Sequence, residues 1–168
     1  MFDLNKPASL EKVAESEALI RFPDCDPFNH LNNSRYIDYF INAREDHLMK
    51  VYRFNMYRYI KELNKGWVVG MNQISYLKPA MLMETVVIQS TIREMHEKDL
   101  LVEMTMLDKE KRRMKALLWT RFYHIDFATM RTVAHDAEMM EQFKLLENPL
   151  ENVNSFEQRL AQLRVPVA

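Results

Sequence analysis

The sequence predicts an α+β fold in which an antiparallel sheet is covered on one face by a helix. Three observations predict it. Apolar and aromatic residues recur at helical spacing over residues 34–53, with Tyr36, Phe40, His47 or Leu48, and Val51 on one side. From residue 67 to residue 126 the period changes to four runs rich in β-branched, aromatic and aliphatic side chains. Short polar connectors, HEKD and KEKR, separate the last three runs, which makes those three hairpin-linked neighbours.

The elements follow in chain order. Residues 1–15 are polar, and the first strand-like run is EALIRF, 17–22, stopped by Pro23. The polar segment PDCDPFNHLNN leads into the helix at 34–53, with Asn32, Asn33 and Ser34 all good N-cap types. Within it the cluster NAREDHL falls where the helix would show a face to water. Phe54 and Asn55 break the pattern before a second helical piece at 56–63, which Asn64 to Gly66 stops. Strands are predicted at 67–77, 83–95, 100–108 and 113–126, the first two joined through Pro79. The turn FATMRT precedes helices at 137–146 and, after Pro149, 156–163.

Composition removes several classes of function. The 168 residues suit one ordinary domain, and 23 basic against 24 acidic side chains carry no footprint for nucleic acid. The two glycines, Gly66 and Gly70, cannot write a GxGxxG loop, a Walker-type phosphate loop or a GxSxG elbow. A single cysteine, Cys25, beside 13 methionines points to a reducing compartment, with the cytoplasm as the expected location. The N-terminus has no signal pattern, and no run approaches the ~20 apolar residues of a membrane span.

Chemistry concentrates in RFPDCDPFNHLNNSRY, residues 21–36. Two carboxylates, an imidazole and several amides lie between a strand end and a helix start. The amides of a helix N-terminus suit the oxyanion that develops on an acyl carbonyl. Asp26 just ahead of them could attack the carbonyl carbon or deprotonate a water, with His30 or an Asn amide orienting substrate or water. Spacing does not separate these roles, and Asp-Pro and Asn-Asn pairs are also ordinary turn and cap chemistry.

The segment resembles the hotdog-fold thioesterases, in particular the 4-hydroxybenzoyl-CoA and short-chain acyl-CoA thioesterase groups. That family follows a first strand with a D-x-D-x-x-G-H-V-N-N-x-x-Y type motif at the start of a central helix. Here the chain reads Asp24, Cys25, Asp26, Pro27, Phe28, Asn29, His30, Leu31, Asn32, Asn33, Ser34, Arg35, Tyr36. ISYLKPA, 74–80, is similar to the family's second strand, and the resemblance runs over about 16–133. It implies a curved antiparallel sheet wrapped around a long central helix, in a single hotdog domain over 1–168 with a C-terminal helical extension at about 136–168.

The resemblance further implies hydrolysis of an acyl-CoA thioester, with no cofactor and no metal. It puts the catalytic carboxylate at Asp26, with Asp24 supportive and His30 a second catalytic position. Substrate contacts fall on Asn32, Asn33, Ser34 and Tyr36, and amides near Asn33 to Tyr36 polarise the carbonyl. A homodimer or homotetramer is implied, with the acyl-CoA site between subunits. An acyl-carrier-protein thioesterase and a non-catalytic acyl-binding protein are the alternatives. Three departures stand out: Asn29 replaces a glycine, Met83 and Glu84 replace a Gly-Asp pair, and the chain after about His135 is longer than usual. The motif assigns the last helix no role, and cover of a subunit edge is the one expectation for it.

Other features carry competing readings. Cys25 between Asp24 and Asp26 makes a poor thiolate and reads as a small buried hydrophobe. His30, His47, His96, His124 and His135 show no metal-ligand spacing; His124 reads as a hydrogen-bonded sheet residue and His96 as a turn residue. Lys109, Lys111, Arg112 and Arg113 could clasp coenzyme A phosphates or form a solvated hairpin tip. Phe40, Tyr52, Phe54, Tyr57 and Tyr59 read as core or the border of an acyl tunnel, and Met56, Met71, Met81 and Met83 as a lipid pocket or core filler. Glu45 and Asp46 read as a solvated face.

Overall fold

The structure, a computed structural model, describes residues 11–164. Six strands form one antiparallel sheet: β1 (Ala14–Leu19), β2 (Lys65–Tyr76), β3 (Thr85–Met95), β4 (Asp99–Asp108), β5 (Met114–Asp126) and the two-residue β6 (Arg131–Thr132). The order across the sheet is β1-β3-β4-β5-β2, and β6 adds to the end of β5. β3, β4 and β5 are the expected hairpin-linked neighbours, whereas β2 pairs with β5, with β4 and β5 lying between it and β3, its neighbour in sequence. Irregularities in register at Val69/Met71, Ile92/Glu94 and Met106/Leu107 bend the strands, so that the sheet curls around the helix.

That helix begins as a 3-10 turn (Asn33–Arg35), continues as α1 (Tyr36–Asp46) and ends as a π-helical turn (His47–Val51). Asn32 starts it by accepting the Ser34 N–H on its side chain at 3.0 Å. The residues buried along it are Tyr36, Phe40, Ala43, Arg44 and His47. Arg44 and His47 therefore correct the expectation that NAREDHL faces water, for both turn toward β3 and bond to Ser90. The curled sheet around a long helix is the arrangement that the hotdog resemblance implies.

The first strand starts and ends earlier than expected. Pro23 cannot donate to a ladder, and Phe22 to Asp24 form a 3-10 turn that leaves Phe22 76% exposed. The second helix, α2 (Met56–Leu63), is stopped by Asn64 at φ 51°, as expected, and Asn55, read only as a break in the pattern, caps its start by accepting the Arg58 N–H.

Alternation along β4 divides the core. Leu100, Val102, Met104 and Met106 face the helix, while Leu101 joins Leu117, Trp119 and Phe156 on the outer face. Helix α3 (Ala137–Leu146) adds Met139, Phe143 and Leu146 to the inner core. Helix α4 (Phe156–Arg164) brings Phe156 onto the outer face. The extension after residue 136 thus covers the sheet of its own chain.

Candidate active site

The Asp26 loop is built by its own hydrogen bonds. Asp26 Oδ1 accepts the N–H groups of Phe28 at 2.9 Å and His30 at 3.0 Å, while the Asp26 N–H donates to the His30 carbonyl at 2.7 Å. Closing so short a loop needs a left-handed residue, and Asn29 supplies it at φ 61°. Asparagine thus serves where the family motif has glycine. Asp26 is half-buried, and among the described residues no donor reaches its second oxygen.

The loop leans on the β2–β3 connector. Leu31 N–H donates to the Ala80 carbonyl at 2.8 Å, and Leu82 N–H to the Asn29 carbonyl at 2.8 Å. The connector keeps its tight turn with Met83 at φ 63°, although a side chain stands where the family has glycine. Glu84 accepts the Met81 N–H at 2.8 Å and pairs with Lys115 Nζ at 2.7 Å, and Lys115 also donates to the Pro79 carbonyl at 3.0 Å. Lys115 thus braces the connector under the loop, a contact that the sequence analysis missed. The acid at Glu84, noted only as a departure, was the available signal for its cation.

At the helix start, Asn32 Oδ1 accepts both the N–H and the hydroxyl of Ser34 at 3.0 and 2.9 Å, and the Asn32 carbonyl accepts the Arg35 N–H at 2.8 Å. Two of the expected polarising amides are thus already partnered. The Asn33 N–H has no acceptor among the described residues. The Asn33 carbonyl accepts the Tyr76 hydroxyl at 2.9 Å. Tyr36 is only 2% exposed and its hydroxyl accepts the Ala80 N–H at 3.0 Å, so it ties the helix to the connector. Burial first, and nearby acids after it, push its phenol up.

Asp24 accepts the Tyr39 hydroxyl at 2.9 Å and lies 3.7 Å from Arg35 Nε, so it braces the loop against the helix. His30 is half-buried, with its ring 6.3 Å from that of Phe28. Cys25 is half-buried, more open than expected, and burial followed by Asp24 and Asp26 pushes its thiol up. His124 is a buried sheet residue bonded to the Tyr59 hydroxyl at 3.0 Å and to the Val133 carbonyl at 3.1 Å, and His96 sits in the β3–β4 turn. In the basic hairpin Lys111 pairs with Glu15 at 2.6 Å. Phe40, Tyr52, Phe54 and Tyr59 are core, while Tyr57, Met71, Met81 and Met83 are exposed. Asp46 pairs with Lys50 on the outer side of the helix, while Glu45 is half-buried and accepts the Tyr57 hydroxyl.

The arrangement presents an unshared carboxylate oxygen in a rigid loop close in sequence to an unshared helix-start amide. Comparison with known proteins is consistent with acyl thioester chemistry. The model of the thioesterase-like superfamily matches residues 20–143. The long-chain acyl-CoA thioesterase FadM of Escherichia coli is 26% identical over 131 residues, 77% of this chain and 96% of that protein. Among solved structures, a 1,4-dihydroxy-2-naphthoyl-CoA thioesterase from Synechocystis has a TM-score of 0.72 at 13% identity, covering 82% of this chain and 99% of its own. A Staphylococcus aureus protein in complex with CoA has a TM-score of 0.72 at 14% identity, covering 93% of this chain and 94% of its own. At these identities the two structures share the fold.

Proposed function

This chain belongs to the thioesterase-like superfamily, and from that premise we propose that it hydrolyses the thioester of an acyl-CoA to the free acid and CoA. The C–S bond breaks, the sulfur leaves as the thiol of CoA, and water supplies the new carboxyl oxygen. Asp26 either takes the proton of that water or attacks the carbonyl to form an anhydride that water then opens. The supporting observation is the division of labour at Asp26: Oδ1 is held by two backbone amides, which leaves the other oxygen free to act. The Asn33 N–H is the candidate donor to the developing oxyanion. His30, Asn32, Ser34 and Tyr36 shape the site.

The non-catalytic reading drew on Asn29 and Met83. Both residues hold left-handed backbone, at φ 61° and 63°, so the turns they form survive their departure from glycine and the hydrolase reading is favoured. We further propose one hotdog domain, 1–168, with a helical extension, acting in the cytoplasm as a homo-oligomer. β2 is an edge strand with Val68, Val69 at 46% exposure, Met71 and Tyr76 uncovered, the kind of edge that a second copy would pair with. No helix of the described residues is long and apolar enough to cross a membrane.

Thiol release measured against a panel of acyl-CoA chain lengths, and then against acyl-carrier-protein thioesters, tests the function. Turnover of acyl-CoA that falls by about a hundredfold or more in Asp26→Asn is expected. Flat traces for the wild-type protein across the CoA panel would overturn it, and turnover of the carrier-protein substrates alone would move the assignment to that class.

A further inference from the structure

Toward the end of the helix away from the Asp26 loop, Ile41, Leu48, Phe54, Trp67, Val102 and Phe122 help enclose an apolar cavity of about 100 Å³. Arg44 and Tyr52 stand on the same wall. Arg44 is 8% exposed, yet among the described residues no carboxylate pairs with it. Its Nη1 donates to Ser90 Oγ at 3.2 Å, and its guanidinium carbon lies 5.6 Å from the centre of the Tyr52 ring. His47 bonds to the same Ser90 hydroxyl at 2.7 Å, and burial together with the Arg44 cation lowers its pKa to about 4, so it is neutral near pH 7. Glu45, the one carboxylate on the cavity wall among the described residues, is engaged by the Tyr57 hydroxyl at 2.6 Å.

A buried cation without a counter-charge is costly, and a guanidinium offers five N–H donors in a fork that fits a carboxylate. An apolar wall beside it excludes the water that would otherwise serve. We propose that this cavity binds an aliphatic chain ending in a carboxylate, with the carboxylate on Arg44 and the chain against the apolar wall. Since an apolar cavity of about 150 Å³ takes benzene, this one takes a short aliphatic stretch. Tyr36 and Arg44 lie about 12 Å apart along the helix axis. The ligand is therefore a separate free acid or the far end of a substrate whose thioester sits at the Asp26 loop. Only the second source rests on the hydrolase reading.

Calorimetric titration of the full chain with hexanoate, 1-hexanol and hexylammonium tests the site without any turnover. Hexanoate is expected to bind at least about tenfold more tightly than the other two. In Arg44→Met that preference disappears while hexanol binding holds, and Arg44→Lys keeps part of it. Equal binding of the three probes by the wild-type chain, or hexanoate binding unchanged in a folded Arg44→Met, overturns the proposal. If Arg44→Met does not fold, the wild-type comparison and Arg44→Lys still decide. A second arm compares hydrolysis of suberoyl-CoA and octanoyl-CoA: a preference for suberoyl-CoA that Arg44→Lys weakens identifies the substrate's own tail. Hexanoate binding without that preference identifies a free acid. Absence of all turnover with hexanoate binding intact would sink the hydrolase reading and leave this site standing.

Discussion

Glu103 of β4 and Arg159 of α4 form a two-point ion pair across the outer face of the sheet. Arg159 Nη2 donates to Glu103 Oε1 at 2.9 Å and Nε to Oε2 at 3.0 Å, with the Glu103 side chain 1% exposed. Arg93 Nη2 and Trp119 Nε1 each reach the same carboxylate at 2.7 Å. Burial pushes this carboxyl up, but the bonds from Arg159, Arg93 and Trp119 outweigh it and hold the group below its usual range.

Removing that carboxylate leaves two largely buried guanidinium groups without their counter-charge. Glu103→Ala is expected to destabilise the chain by about 3–5 kcal/mol, read from the shift of a urea unfolding curve. Limited proteolysis should also cut first between α3 and α4 in this variant. An unshifted midpoint would refute the clamp.

Asp26 combines a structural and a chemical duty, and two substitutions separate them. An asparagine oxygen can still accept the Phe28 and His30 amides, so Asp26→Asn should melt close to wild type while losing thiol release. Asp26→Ala loses both acceptors and should fall by about 1–2 kcal/mol as well. Equal melting of the two variants would contradict the loop geometry described above.

Met83 holds φ 63° with its side chain 65% exposed, so it bears the steric cost of left-handed backbone and gains little burial in return. Met83→Gly should therefore stabilise the chain by about 1 kcal/mol, seen as a higher melting temperature. A lower melting temperature would mean that the side chain contributes packing, as it would against a second subunit.

His47 ties stability to pH. Its pKa is lowered from 6.5 to about 4, by burial first and then by the Arg44 cation. The unfolded chain therefore binds the proton first as pH falls. The contribution of the neutral ring is complete above about pH 6.5 and is lost progressively down to about pH 4, by about 3 kcal/mol. His124 and His135 are lowered for the same leading reason and add in the same direction. Unfolding free energy measured from pH 7 to pH 4 should fall, and should fall less in His47→Gln.

Asn29, noted as a departure from glycine, keeps the left-handed turn because asparagine's tolerance of that backbone is a property of the residue itself. The cap at Asn32 and the stop at Asn64 were legible for similar local reasons. Arg44 and His47 were not. Charged side chains on a helix are ordinarily assigned to water, and only the approach of Ser90 from β3, Ser16 from β1 and the Tyr52 ring gives them partners. Phe22 misled in the opposite sense, since an aromatic next to a proline extended the apparent strand while the ladder ends at Leu19 and Phe22 opens a 3-10 turn. Glu103 is a polar residue in the run LLVEMTMLD, and nothing local marks its partner Arg159, which lies 56 positions away.

The order and type of the elements, the closed loop at Asp26 and the start of the central helix were determined by the sequence itself, because each depends on periodicity or hydrogen bonds spanning only a few neighbours. Tertiary structure alone decided that β2 lies against β5, that α4 covers the outer face, and that Arg44 is buried beside a cavity. Those outcomes depend on which distant surfaces bury one another and which remote groups satisfy a charge. No local pattern carries that information.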